Sequence, residues 1–338
     1  MRYRTVSFWL VLAVAATLPL APARSDDASA PPAADRAADV ATGADAVATG
    51  ADAVADKLEF VRFRQDGKGG GTLDTAIATY RNADGVAVHL VAAVHVGEKA
   101  YYAGLSDTFD TYDALLYELV KPRDAPVPGA KGPVQPGGGT RIRGATAIGG
   151  LQGLLKSALE LESQLESINY DRPNFVHADL DAETFNEMQE ARGESLFRLM
   201  LRSMVSEMNR QQKGKGAPPI TMFDLLAAMS SPDSARQYKL LLARQMKDVE
   251  GQMQGIEGKN GSVIISERNK AALKVLQRTI GEGKKNIGVF YGAGHMRGIE
   301  DELMDNMGFK RIGVEWRVAW DMKADDPEKA APGVDPSK

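Results

Sequence analysis

The chain contains no cysteine, which excludes disulfides, thiolate metal ligands and cysteine nucleophiles. It has only four histidines: His89, His95, His177 and His295. Lysine and arginine number 41 against 45 acidic residues, for a net charge of −4. The basic stripe that nucleic-acid binding requires is therefore missing, and no nucleic-acid partner is expected. Two ready-made catalytic signatures are also absent: there is no H-E-x-x-H zinc motif and no G-x-S-x-G nucleophile elbow. Gly69-Gly70-Gly71 lacks the following Lys and Ser/Thr of a phosphate-cradling loop, so it reads as a hairpin tip.

What is present suits a soluble globular protein. Of the 338 residues, 43% are hydrophobic and 25% charged, enough to bury a sizeable core. The first 23 residues carry the marks of a secretory signal peptide. Arg2 and Arg4 form a short positive region, Phe8 to Leu20 is apolar, and Ala21-Pro22-Ala23 is an A-x-A cleavage site. The apolar run is too short for the roughly 20 residues of a membrane-spanning helix. Export is expected, with a periplasmic or secreted destination and no stable membrane span after cleavage. Residues 24–57 form a linker of Ala, Asp, Thr, Gly and Pro, in which Ala41–Val47 repeats directly as 48–54. With almost no large apolar side chains, such a segment cannot offset its ordering entropy. Residues 323–338 form a similar charged, proline-bearing tail.

The folded domain is expected over 58–322. Strands are predicted at 58–63, 75–81 and 86–96, the last two joined by the Asn82-Ala83-Asp84-Gly85 turn. A helix over 101–109 leads to a buried strand, 114–120. Residues 121–147, rich in Pro and Gly, read as a long loop. Helical patterns fill 148–167, 182–210, 221–229, 232–256 and 265–281, interrupted by a strand at 174–180. A strand at 286–291, a helix at 296–307 and a strand at 309–320 complete the chain. Strands at both ends around a helical middle predict an α/β fold. Its mixed central sheet would be flanked by helices, with a helical insertion or cap at about 182–256.

Chemistry points to the strand ends, where open α/β sheets bind ligands. His95 closes the 86–96 strand, Glu118 lies near the end of 114–120, and His295 follows 286–291 in Tyr291-Gly292-Ala293-Gly294-His295. If these strands are parallel neighbours, the three groups share one rim. Glu118 stands in an apolar run, where a carboxylate is costly unless paired or bound to a metal. A structural salt bridge would satisfy it as well as a functional role. His89 lies about 20 Å from His95 along an extended strand and reads as structural. His177 and Asp179, sharing one strand face, either line the site or pack structurally. Methionines around 200–208 fit an amphipathic core face.

These residues resemble a known family. Val91-Ala92-Ala93-Val94-His95-Val96-Gly97 resembles the first G-x-x-H strand of the TraB/PrgY, GumN and Tiki families. Leu116-Tyr117-Glu118, Ser266-Glu267-Arg268-Asn269 and Tyr291-Gly292-Ala293-Gly294-His295 are similar to its later motifs, in the same order. Ala92 departs from the family's glycine, adding a Cβ that would narrow the site. The resemblance implies the fold of erythromycin-esterase-like and ChaN-like proteins, whose members include metal-dependent peptidases, esterases and haem binders. On that basis the expected activity is hydrolysis of a peptide or ester bond in a peptide or small-molecule substrate. His95, Glu118 and His295 would hold a divalent metal or act directly as base and acid, and Arg268 would either stabilise the oxyanion or form a salt bridge on the helix surface. The alternatives are a non-catalytic exported binding protein for haem or a peptide, and an inert descendant of the family.

Overall fold

The computed structural model describes residues 57–127, 158–214, 220–246, 249–258 and 260–323. The expected signal peptide, nearly all of the 24–57 linker, most of the 121–147 loop, the start of the 148–167 helix and the tail beyond 323 lie outside these residues.

A seven-stranded mixed sheet organises the domain. Strands β1 (Val61–Gln65) and β2 (Gly71–Arg81) form an antiparallel hairpin. The Asn82–Gly85 turn leads from β2 into β3 (Ala87–Ala93), again antiparallel. Gly85 takes φ +76°, a conformation that side chains on L residues rarely adopt. β4 (Val96–Gly97) is short, and helix α1 (Lys99–Phe109) follows it. β5 (Ala114–Tyr117) is buried at all four positions, as an apolar run inside a parallel sheet should be.

The middle of the chain departs from expectation. The predicted 148–167 helix is broken where it is described. Glu162–Ser163 forms β6, which pairs antiparallel with β4, and only the short α2 (Gln164–Ser167) is helical afterwards. Backbone pairing with the segment after His95 has overridden local helix propensity. β7 (Phe175–His177) is shorter than the predicted strand and pairs parallel with β5. The predicted 182–210 helix also divides. α3 (Ala182–Ala191) and α4 (Leu196–Gln212) are separated at Gly193, φ +60°. α5 (Met222–Met229) begins in a Thr221/Asp224 capping box. α6 (Ser234–Met246) and α7 (Val249–Glu257) cover the described parts of the predicted 232–256 helix, on either side of residues 247–248, which lie outside the described ones. Met208, 53% exposed, lies with exposed Leu201 and Val205 on α4, so it stands outside the core face expected there, while Leu199 and Ser203 of the same helix are buried.

A π-helical turn, Val263–Glu267, opens α8 (Arg268–Gly281). β8 (Asn286–Gly292), α9 (Ala293–Asp305) and β9 (Lys310–Asp321) follow. β8 lies between β3 and β5, parallel to both, while β9 closes the other edge of β2 antiparallel. The strands β3, β8, β5 and β7 therefore run the same way and end on one rim. Among the described residues, no helix is long and apolar enough to cross a membrane. Ala92 is a fully buried member of the main core.

Candidate functional site

The parallel strands deliver three of the expected residues to one place. His95 follows β3, Glu118 is the first residue beyond β5, and His295 sits in the first turn of α9 just beyond β8. His295 Nε2 lies 3.5 Å from Glu118 Oε1. His95 joins from the other side: a Cβ built on Gly292 would lie 3.3 Å from Glu118 Oε2 and 3.4 Å from His95 Nε2. Both groups thus face the same spot over a residue that has no side chain.

Arg268 is the fourth expected residue, and it is buried, not on a helix surface. Its Nη2 donates to Glu118 Oε1 at 2.6 Å, and its Nη1 lies 3.4 Å from His295 Nε2. The guanidinium stands at the N-terminal end of α8, where the helix dipole disfavours a cation. Two carboxylates compensate. Asp179 accepts from Nε at 2.9 Å and from Nη2 at 2.6 Å, and both side chains of this pair are essentially unexposed. The π-helical turn immediately before Arg268 is an irregularity of the kind found at functional sites.

The charges are settled by neighbours. Burial alone would push the Glu118 carboxyl up, but the Arg268 guanidinium against it more than reverses this and holds it well below the usual carboxylate range. The Gly292 N–H also donates to its Oε2 at 2.5 Å, from the N-terminus of α9. Burial lowers the pKa of His95, outweighing the opposite pull of Glu118 and Gln164. Burial would lower that of Arg268 too, but Asp179 and Glu118 raise it overall, so the cation persists.

Amide side chains fix the imidazoles. His295 Nδ1 is 2.7 Å from Asn269 Oδ1. Asn269 Nδ2 donates to the His295 carbonyl at 3.2 Å, which sets the orientation of the amide. Nδ1 of His295 must therefore carry a proton, with Nε2 turned toward Glu118 and Arg268. His95 Nδ1 lies 3.1 Å from Gln164 Oε1, and Gln164 Nε2 donates to the Tyr170 hydroxyl at 2.9 Å. The same tautomer follows for His95. Its position is pinned by backbone contacts on both sides. Gln164 N–H donates to the His95 carbonyl, and Trp320 Nε1 donates to that of Val96.

Sequence reasoning left Asp179 open and missed Gln164 and Tyr170 altogether. Tyr291, missed as well, donates its hydroxyl to the Ala178 carbonyl and so anchors the residue before Asp179. Asp179 was legible only as a possible strand neighbour of His177, yet the two part company. His177 Nε2 bonds the Leu119 carbonyl at 2.6 Å, away from the cluster. His89 stays outside, between Thr79 Oγ1 and Asn286 Oδ1 and stacked on Tyr112.

The histidine nitrogens suit a divalent ion, since each is held at Nδ1 as metal-ligating imidazoles usually are. The remaining donors do not fit. Both Glu118 oxygens are engaged, and a guanidinium already lies against His295 Nε2. Among the described residues, no three His, Asp or Glu side chains are arranged to hold an ion. Haem gains no support either, because the groups facing both imidazoles are charged or polar, whereas a porphyrin face needs apolar walls. Comparison of the chain with protein-family models, with curated proteins and with solved structures finds no match to any of them.

Proposed function

We propose that this chain is an exported hydrolase of peptide or ester bonds that works by general acid–base catalysis. The observation that carries the reading is the pair of Nδ1-tethered histidines. Their Nε2 atoms face one buried carboxylate beside a buried guanidinium. Ion pairing alone would not call for two fixed imidazole tautomers.

In this scheme His95 Nε2 removes a proton from a water molecule, and the hydroxide attacks the carbonyl carbon. Glu118 is held ionised and is a poor base, so its part is to stabilise the imidazolium that forms on His95. Negative charge gathers on the carbonyl oxygen and is met by Arg268, whose cation is already in place and need not reorganise. The C–N or C–O bond then breaks, and the leaving group takes the proton back from His95. His295 Nε2, lying against Arg268 Nη1, helps hold the guanidinium edge. The resemblance to TraB, GumN and Tiki proteins and the expected signal peptide support the hydrolytic and exported parts of this reading.

The test is hydrolysis of p-nitrophenyl acetate and of a fluorogenic peptide library by wild type and His95→Asn. Wild-type turnover that drops by about two orders of magnitude in the variant supports the scheme. Equal rates in both proteins would overturn it.

A further inference from the structure

We infer that Asp179 is the positioning residue of this site, and that it keeps one N–H of Arg268 Nη1 free for a substrate oxygen. The inference rests on the hydrolytic reading above and deepens it.

A guanidinium has five N–H donors in one plane. Nε donates to Asp179 Oδ1, Nη2 donates to both Asp179 Oδ2 and Glu118 Oε1, and Nη1 reaches His295 Nε2. Four donors are thereby used, and the fifth, on Nη1, has no acceptor among the described residues. Arg268 is only 1% exposed, so water does not readily serve it. A buried donor without a partner is costly in a finished core and useful where an oxygen arrives during a reaction.

Asp179 sets that arrangement through shape. Its two oxygens grip the Nε–Nη2 edge side-on, and a planar group held by one edge points its remaining nitrogen in one direction. Glu118 offers a competing geometry. Alone with Arg268, it would accept from Nη1 and Nη2 together in the end-on fork that Arg–carboxylate pairs favour. That fork would consume the free N–H and pull the guanidinium off His295. Asp179 opposes it by holding the guanidinium along its Nε–Nη2 edge, so that Glu118 meets Nη2 through Oε1 alone while its Oε2 stays on the Gly292 N–H. Its own position follows from Tyr291, which ties down the Ala178 carbonyl. In Asp179→Asn the amide NH2 cannot accept, so the side-on grip fails although the side chain keeps its shape.

The experiment compares wild type, Asp179→Asn, Arg268→Ala and the double variant on p-nitrophenyl acetate and the peptide library. For Asp179→Asn, kcat should fall about 100-fold while KM stays within about threefold, since the lost donor acts on the developing oxyanion. The double variant should be no slower than Arg268→Ala alone, because Asp179 acts only through Arg268. Additive losses, or an unchanged kcat in Asp179→Asn, would overturn the inference. If Asp179→Asn does not fold, Asp179→Glu takes its place. It keeps the charge but moves the carboxylate by one methylene, and it should melt near wild type with kcat down at least tenfold; wild-type kcat would overturn the inference. Guanidinium NMR separates this from failure of the hydrolytic reading. Separate, slowly exchanging Arg268 Nη signals are expected in wild type and should merge in the Asp179 variant, whether or not any substrate is turned over. Identical signals in the two proteins count against Asp179.

Discussion

Gly292 donates its backbone N–H to Glu118 Oε2 at 2.5 Å, and the space its missing side chain leaves is shared by Glu118 and His95. One glycine therefore serves twice. It contributes a helix-terminal donor to the carboxylate, and in the proposed mechanism it leaves the gap in which a water would meet His95 Nε2.

Gly292→Ala tests that gap. The residue has φ −53° and ψ 139°, which alanine adopts without strain, so backbone conformation is not at issue. The new Cβ would sit 3.3 Å from Glu118 Oε2, tight enough to shift it slightly, and 3.4 Å from His95 Nε2, in van der Waals contact with it. Activity on the ester probe should fall at least tenfold, while overpacking costs about 1–3 kcal/mol of stability. Full activity in a folded Gly292→Ala protein would show that the gap has no catalytic use.

Metal content is the second test. With Glu118 saturated and Arg268 supplying the local cation, purified protein should carry well under one equivalent of any transition metal. EDTA should leave both the melting midpoint and the ester rate unchanged. Added haem should produce no shifted Soret band, because the imidazoles face charged partners. A stoichiometric ion whose removal lowers the midpoint would mean that Arg268 moves aside to admit it. The acid–base scheme would then fall.

The convergence of His95, Glu118 and His295 was readable because strand alternation and apolar runs locate strand ends, and parallel strands end on one rim. The hairpin at Asn82–Gly85 was readable from its turn residues. What escaped was set by tertiary contacts. Gln164 hid inside an apparently helical stretch because β6 forms only by pairing with β4. Asp179 lies beyond the end of β7, where period-two reasoning no longer holds, and nothing local reveals that it faces an arginine 89 residues away. The break between α3 and α4 was missed because a single glycine such as Gly193 ends a helix only when neighbours favour the turn.

Glu118→Gln resolves the two ways of reading a carboxylate in an apolar strand. The structure makes them compatible: Glu118 is both the ion-pair partner of Arg268 and a member of the proposed site. Breaking a buried pair outright costs about 3–5 kcal/mol. Here Arg268 keeps Asp179, so the loss should be smaller. Gln has one acceptor oxygen for two donors, Gly292 N–H and Arg268 Nη2, and one of them is left unserved. The expected destabilisation is about 1–3 kcal/mol, with activity down about 100-fold. A variant that is more stable than wild type would show that the ion pair contributes nothing to folding.

The pH dependence of stability should carry the signature of His95. Its ordinary pKa is 6.5, and burial lowers it in the folded protein. Between the lowered value and 6.5 the unfolded chain binds a proton that the folded one does not. Stability therefore rises with pH across that window and is lost as pH falls through it, by up to about 1.4 kcal/mol per pH unit. His89 is also lowered by burial and contributes in the same direction, so the wild-type slope alone is not diagnostic. Glu118 acts further down. Its folded pKa is depressed from an ordinary 4.5, so its contribution is present above 4.5 and disappears only in stronger acid. Denaturant melts of wild type and His95→Asn between pH 5 and 7 isolate the His95 share. The variant should show a flatter slope, with His89 still titrating. In wild type the acid limb of kcat/KM should lie below pH 6.5, where His95 gains its proton and ceases to be a base. Parallel slopes in the two proteins would mean that His95 is solvated in the folded state, and the buried base of the proposed mechanism would be lost.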